Sequence, residues 1–151
     1  MTRRRWALVL VAITLSCGAL TACDPPKVVC STVTFTPPGT TARLGRLCEP
    51  HPLLHDTAIM LVHGGGGVSG DRFGMRAWSQ RYGVAGYPTL SIDYFLFDNT
   101  TPPPVYPIRE RDVKAGVQYL RRHAAQLGID PERIVVHTAP RPGPASRPRC
   151  S

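Results

Sequence analysis

Only 10 of the 151 residues are acidic, against 18 basic ones, and none of the 10 lies beyond Glu132. The sequence has no block of like charge on a helix face. It also lacks the alternation of aromatic and basic residues that a base-stacking surface requires, so the positive charge does not indicate nucleic acid. The excess sits at the ends: Arg3, Arg4 and Arg5 open the chain, Arg141, Arg147 and Arg149 lie near its close, and residues 24–140 carry a net charge of only +2. No apolar run is long enough to cross a bilayer, because Ser16 and Gly18 interrupt the one that begins at Trp6. There is no internal repeat.

The opening residues have the grammar of an export signal: a positive n-region, the apolar run Trp6 to Leu15, then small residues. Leu20-Thr21-Ala22-Cys23 resembles the lipobox of bacterial lipoproteins, and Cys23 sits where the apolar run gives way to Asp24-Pro25-Pro26-Lys27. The expectation is a signal over residues 1–22, a lipidated Cys23 that anchors the exported protein to the cell membrane, and a tether over 23–29. The rival is ordinary cleavage with Cys23 incidental.

Of the 5 cysteines, Cys17 leaves with the signal. Cys30 and Cys48 remain near each other in sequence and can pair in an oxidising compartment. A competing use of Cys48, with His51 and His55, is metal ligation at ligand-like spacing. No fourth ligand is evident and Pro52 breaks the local helix, so the pairing is preferred and no metal is expected.

Along the mature chain, Ser31-Thr-Val-Thr-Phe35 alternates like a half-buried strand and residues 36–41 read as a turn. Residues 57–63 form a continuous apolar run of the kind found in strands covered on both faces. Residues 72–87 have helical spacing, with Phe73, Ala77, Trp78 and Tyr82 on the apolar face. A second apolar run (88–95), a proline loop and the most periodic helix follow. That helix presents Val113, Val117, Leu120, Ala124 and Leu127 on one side, with Pro107 at its start and Gly128 past its end. Residues 133–137 are a third apolar strand. The order strand, helix, strand, helix, strand predicts right-handed crossovers and an α/β fold with a parallel sheet and flanking helices.

Four consecutive glycines, Gly64 to Gly67, follow the first buried strand directly. They are costly to order, so an ordered run needs a reason. A phosphate cradle matches poorly, since neither a Walker pattern nor G-x-G-x-x-G is present. The alternatives are a plain glycine turn, or an oxyanion hole whose backbone N–H groups must lie bare.

With His63 ahead of the glycines, the chain resembles the α/β-hydrolase superfamily, in the esterase and lipase branch that carries an HGGG-type oxyanion motif. The resemblance runs over about residues 57–136. It rests on His63-Gly64-Gly65-Gly66, on the strand that ends at Asp93-Tyr94, and on the helix–turn–strand from Arg111 to Val136. It implies hydrolysis of a carboxylic ester with Gly64 and Gly65 as oxyanion donors. His63, Gly66 and Gly67 would shape the loop, Asp93 would be structural, and no cofactor is implied. In that family this unit leads into a G-x-S-x-G nucleophile elbow.

No such elbow follows. Ser146 lies in Gly143-Pro-Ala-Ser-Arg-Pro148, His137 is the last histidine, and Pro140, Pro142, Pro144 and Pro148 forbid the helix an elbow needs. The expectation is therefore a partial α/β-hydrolase domain over 30–136, then a disordered Pro/Arg-rich tail over 137–151. The abrupt change of composition suggests a shift of reading frame near codon 137. The rival is a genuine short chain with a proline-rich tail, serving as a membrane-anchored binding module. A small ester is the expected partner of the full-length parent, and the strand before residue 137 is expected to present an open edge.

Overall fold

The computed structural model describes residues 24–97 and 107–139. The signal segment, Cys23 and the proline-rich residues from Pro140 onward lie outside the described residues.

Five strands form one mixed sheet. A hairpin, β1 (Lys27–Phe35) and β2 (Arg43–His51), comes first, followed by the strand β3 (Ala58–Val62). A 3-10 turn (Arg72–Met75) runs into α1 (Arg76–Val84), and β4 (Thr89–Ile92) follows. Then come α2 (Ile108–Arg122), α3 (Ala124–Leu127) and β5 (Ile134–Thr138). The strand order is β1-β2-β4-β3-β5. β3 pairs in parallel with both β4 and β5. The α/β class stands, with β3, β4 and β5 as its parallel part.

The sequence reading did not assign β2, which makes the sheet mixed: it pairs antiparallel with β1 and with β4. Its local signal is weak because Arg43, Gly45, Arg46 and Pro50 interrupt the apolar pattern. The pairing is fixed at the turn, where the Thr40 N–H donates to the Pro37 carbonyl, and by cross-strand register that places Cys30 opposite Cys48. These two cysteines are joined as a disulfide. The register continues to Lys27 opposite His51, so β1 begins within the stretch assigned to a tether. At the other end β5 runs to Thr138, beyond the expected boundary at 136, because its ladder with β3 continues to Val62 opposite Thr138.

Side chains of β3 alternate between the two faces of the sheet. Ala58, Met60 and Val62 join Leu90, Ile92, Ala115 and Leu120 in the larger core under α2. Ile59 and Leu61 join Met75 in a smaller core under α1. The crossover after β3 thus runs on one face and that after β4 on the other, which parts the loops at their carboxyl ends and opens a crevice there.

The first helix is rotated relative to the sequence expectation, whereas on the second the expected Leu120 and Ala124 are core and Val113, Val117 and Leu127 pack against it. The buried stripe on the first is Met75, Ser79 and Gly83, whereas Phe73 and Ala77 are exposed and Trp78 and Tyr82 half-buried. The cause is the 3-10 turn, capped by the Asp71 carboxylate accepting from the Phe73 and Gly74 amides, which changes the phase of the helix that follows. On α2 the buried residues are Asp112, Ala115, Gly116 and Leu120, with Val113 and Val117 half-buried. Small residues face the sheet because the helix lies close to it: a Cβ on Gly116 would stand 2.7 Å from Met60 Cε. Gly128 ends α3 in the left-handed conformation.

Candidate active site

β3 delivers the chain into the crevice and its five residues are all buried, so the loop that follows starts from a rigid support. Gly65 has φ +116, and a Cβ there would fall 2.0 Å from the Ser69 carbonyl oxygen, so only glycine fits. The turn is closed by the Val68 N–H donating to the Gly65 carbonyl. Among the described residues no acceptor meets the amides of Gly64, Gly65 or Gly66. Amides left without a protein acceptor are what an oxyanion site requires.

His63 is 95% buried, with 5% of its surface exposed. Its Nδ1 lies 2.7 Å from the Gly64 carbonyl oxygen, an acceptor only, so Nδ1 carries the proton. Nε2 has no partner among the described residues. Its ring stacks on Tyr94 at 4.3 Å between centroids, and the Tyr94 hydroxyl donates to the His63 carbonyl at 2.9 Å. Burial pushes the Tyr94 phenol above its usual range, against the pull of the nearby Arg109 charge. The hydroxyl therefore stays protonated and remains a donor. His63 is held on both sides as a spacer that orients the first glycine peptide.

The far end of the loop is held by Asp93. Its carboxylate accepts from the Arg72 backbone N–H at 2.7 Å and from the Arg72 guanidinium, while the Ser91 hydroxyl donates to the Arg72 carbonyl. Asp93 thus ties the end of β4 to the start of the 3-10 turn.

Sequence reasoning missed Asp112. This carboxylate is fully buried on α2 and accepts from Arg43 Nε at 2.8 Å and from the Phe95 N–H at 2.7 Å. It joins β2, the segment after β4 and α2, and so fixes the backbone next to Tyr94. The available signal was a lone acid on the same side of the helix as the small residues Ala115 and Gly116.

The described end of β5 reaches the same place. The Ala139 N–H donates to the Val62 carbonyl at 3.0 Å, directly ahead of His63. His137, one turn of the ladder earlier, shares a 2.8 Å hydrogen bond through Nδ1 with the Tyr82 hydroxyl and packs on Trp78. Among the described residues no serine hydroxyl is hydrogen-bonded to a histidine, and no cluster of three or more His, Cys, Asp or Glu could hold a metal. Cys48 is committed to Cys30, which removes it from the His51 and His55 set. No helix among the described residues is long and apolar enough to cross a membrane.

The esterase Est22 superposes with a TM-score of 0.62 at 24% identity, over 74% of this chain and 34% of that one. A bacterial heroin esterase gives 0.58 at 25% identity over 74% and 35%. An esterase, Est2, from the planctomycete Thermogutta terrifontis gives 0.62 at 22% identity over 73% and 40%. The fold is that of α/β-hydrolase esterases, and the chain spans about a third of the length of these structures. No curated protein matches the sequence. The BD-FAE family model matches residues 53–139, which include β3, the glycine loop, α1, β4, α2 and β5. By that match over more than half its length, the chain belongs to the BD-FAE family.

Proposed function

We propose that this chain supplies the oxyanion-binding part of a carboxylic-ester hydrolase. The observation that carries the reading is the glycine loop, with the Gly64 and Gly65 amides at the carboxyl end of β3 meeting no acceptor among the described residues while His63 and Tyr94 hold the peptide behind them. When a nucleophile adds its electron pair to an ester carbonyl carbon, the C=O π pair moves to oxygen. Two amide donors that meet this oxygen stabilise the tetrahedral species more than the planar ester. Gly66 and Gly67 carry the turn that presents them.

No G-x-S-x-G stands in the 151 residues and no histidine or acid follows His137, which supports a chain that meets the ester through this loop without itself supplying the nucleophile. The lipobox-like Leu20 to Cys23 supports an exported protein held at the membrane by lipid on Cys23.

The test is a titration of the purified 15N-labelled chain with methylphosphonate, a tetrahedral anion, alongside a p-nitrophenyl acetate assay. Downfield shifts at the Gly64 and Gly65 amides with no hydrolysis above background are expected. Shifts confined to other residues would sink the oxyanion assignment. Hydrolysis that a serine-reactive phosphonate abolishes would sink the claim about the nucleophile.

A further inference from the structure

Beside the glycine loop lies a second feature that ester chemistry alone does not call for. A cavity of about 440 Å³ is lined by Val62, Tyr94, Arg109, Glu110, Val113 and Lys114. It shares Val62 and Tyr94 with the wall of the oxyanion loop, and its floor of Val62 and Val113 is apolar. Arg109, in the first turn of α2, reaches back over the loop, and a Cβ on Gly67 would fall 1.7 Å from Arg109 Nη1. Gly67, at φ +81, is therefore required twice, for the turn and for this close approach.

Four of the cations among the described residues meet a carboxylate. Arg43 serves Asp112, Arg72 serves Asp93, Arg121 faces Glu132 and Arg133 faces Asp56. Arg109 has no carboxylate partner among the described residues. Glu110 is adjacent on the helix and lines the same cavity. It stands four residues before Lys114, the spacing and order at which two opposite charges moderate each other. The lining thus carries two cations against one carboxylate, and the guanidinium of Arg109, without an ion pair among the described residues, stands next to the place where the ester carbonyl would sit.

We infer that Arg109 is a specificity-determining residue that selects esters bearing a carboxylate on the arm lying in this cavity. This inference rests on the oxyanion reading of Gly64 and Gly65. The planar guanidinium offers paired N–H donors to a carboxylate, Tyr94 and the valines cover an apolar or aromatic spacer, and the reacting carbonyl is left at the glycine amides. The positive end of α2, a helix of 15 residues, favours the same charge.

The probes are monomethyl terephthalate, an anionic ester, and methyl 4-acetylbenzoate, its neutral counterpart, each titrated into the full chain and followed by amide shifts. The anionic ester should bind about tenfold more tightly at low salt, with the preference shrinking as ionic strength rises. Arg109→Gln should abolish the preference, and Arg109→Lys should retain only part of it. Equal affinities in the native chain, or a preference that survives R109Q, overturn the inference. Shifts at Gly64 and Gly65 with no anion preference overturn it alone. No shift there with either ester overturns the oxyanion reading and this inference together.

Discussion

The two faces of the sheet are built differently. Under α2, Met60, Leu90, Ile92 and Leu120 are completely buried, and Gly116 lets the helix press onto Met60. Under α1 the buried apolar set is only Ile59, Leu61 and Met75, bordered by half-buried aromatics. There a groove of about 500 Å³ runs between Ile59, Tyr82, Tyr87 and the β5 residues Val135 to His137. Val135 and Val136 are 52% and 45% exposed, on a strand paired with β3 alone among the described residues. The α2 face holds the fold together. The α1 face and the β5 edge bury less apolar surface per residue, and substitutions there should cost correspondingly less.

That contrast predicts an order of effects. Leu120→Ala or Met60→Ala, on the closed face, should destabilise by about 2–5 kcal/mol in urea unfolding, since the tight packing leaves a cavity that cannot collapse. An effect no larger than that of a surface substitution would show that the α2 face is not the principal core. Asp112→Ala should cost about 3 kcal/mol by leaving Arg43 and the Phe95 amide without their acceptor. Its distinguishing readout is the Tyr94 ring resonance, which should move because the Phe95 backbone anchors its neighbour. Unchanged Tyr94 signals would reduce Asp112 to a packing role.

Reducing Cys30–Cys48 is expected to lower stability by about 3 kcal/mol on chain-entropy grounds, read as the shift of the unfolding midpoint with reductant. On the open face, Tyr82→Phe removes only the hydrogen bond to His137 and should cost about 1 kcal/mol. A larger loss would mean that the Tyr82–Trp78–His137 cluster acts as a core in its own right.

The smallest effect is a pH dependence. Burial raises the phenols of Tyr94 and Tyr119 above their ordinary value of 10.0. Both are protonated in folded and unfolded chains below that value, so their contribution is fully present there. It is lost as pH rises through the folded-state values, because the unfolded chain ionises first. Melting temperature should therefore fall on the alkaline side, and Tyr94→Phe should flatten that limb. An identical limb in the variant would assign the loss to other groups.

Local pattern carried much of this molecule. β3, β4 and β5 are contiguous apolar runs, α2 has a helical period with Pro107 and Gly128 at its limits, and the loop was marked by four glycines after a strand. Such features arise from residues within a few positions of each other, where sterics and periodicity act directly. The face that α1 buries was less legible, because a 3-10 turn changed its phase, and on α2 close approach to the sheet added the small residues Ala115 and Gly116 to the expected face.

What remained hidden were contacts whose partners lie far apart along the chain. Arg43 meets Asp112 across 69 residues, Tyr94 meets the His63 carbonyl across 31, and Arg109 closes over Gly67 from α2. The residue types alone made the parallel strands, the helices and a loop that could bare its amides, since burial and backbone conformation follow from short-range composition. Only the folded chain decided that β2 would complete a mixed sheet, that an acid would be buried on α2, and that a guanidinium would stand at the mouth of the glycine loop. Each of those depends on where the sheet brings distant residues, and a buried charge or a bare amide has no local signature until its partner is in place.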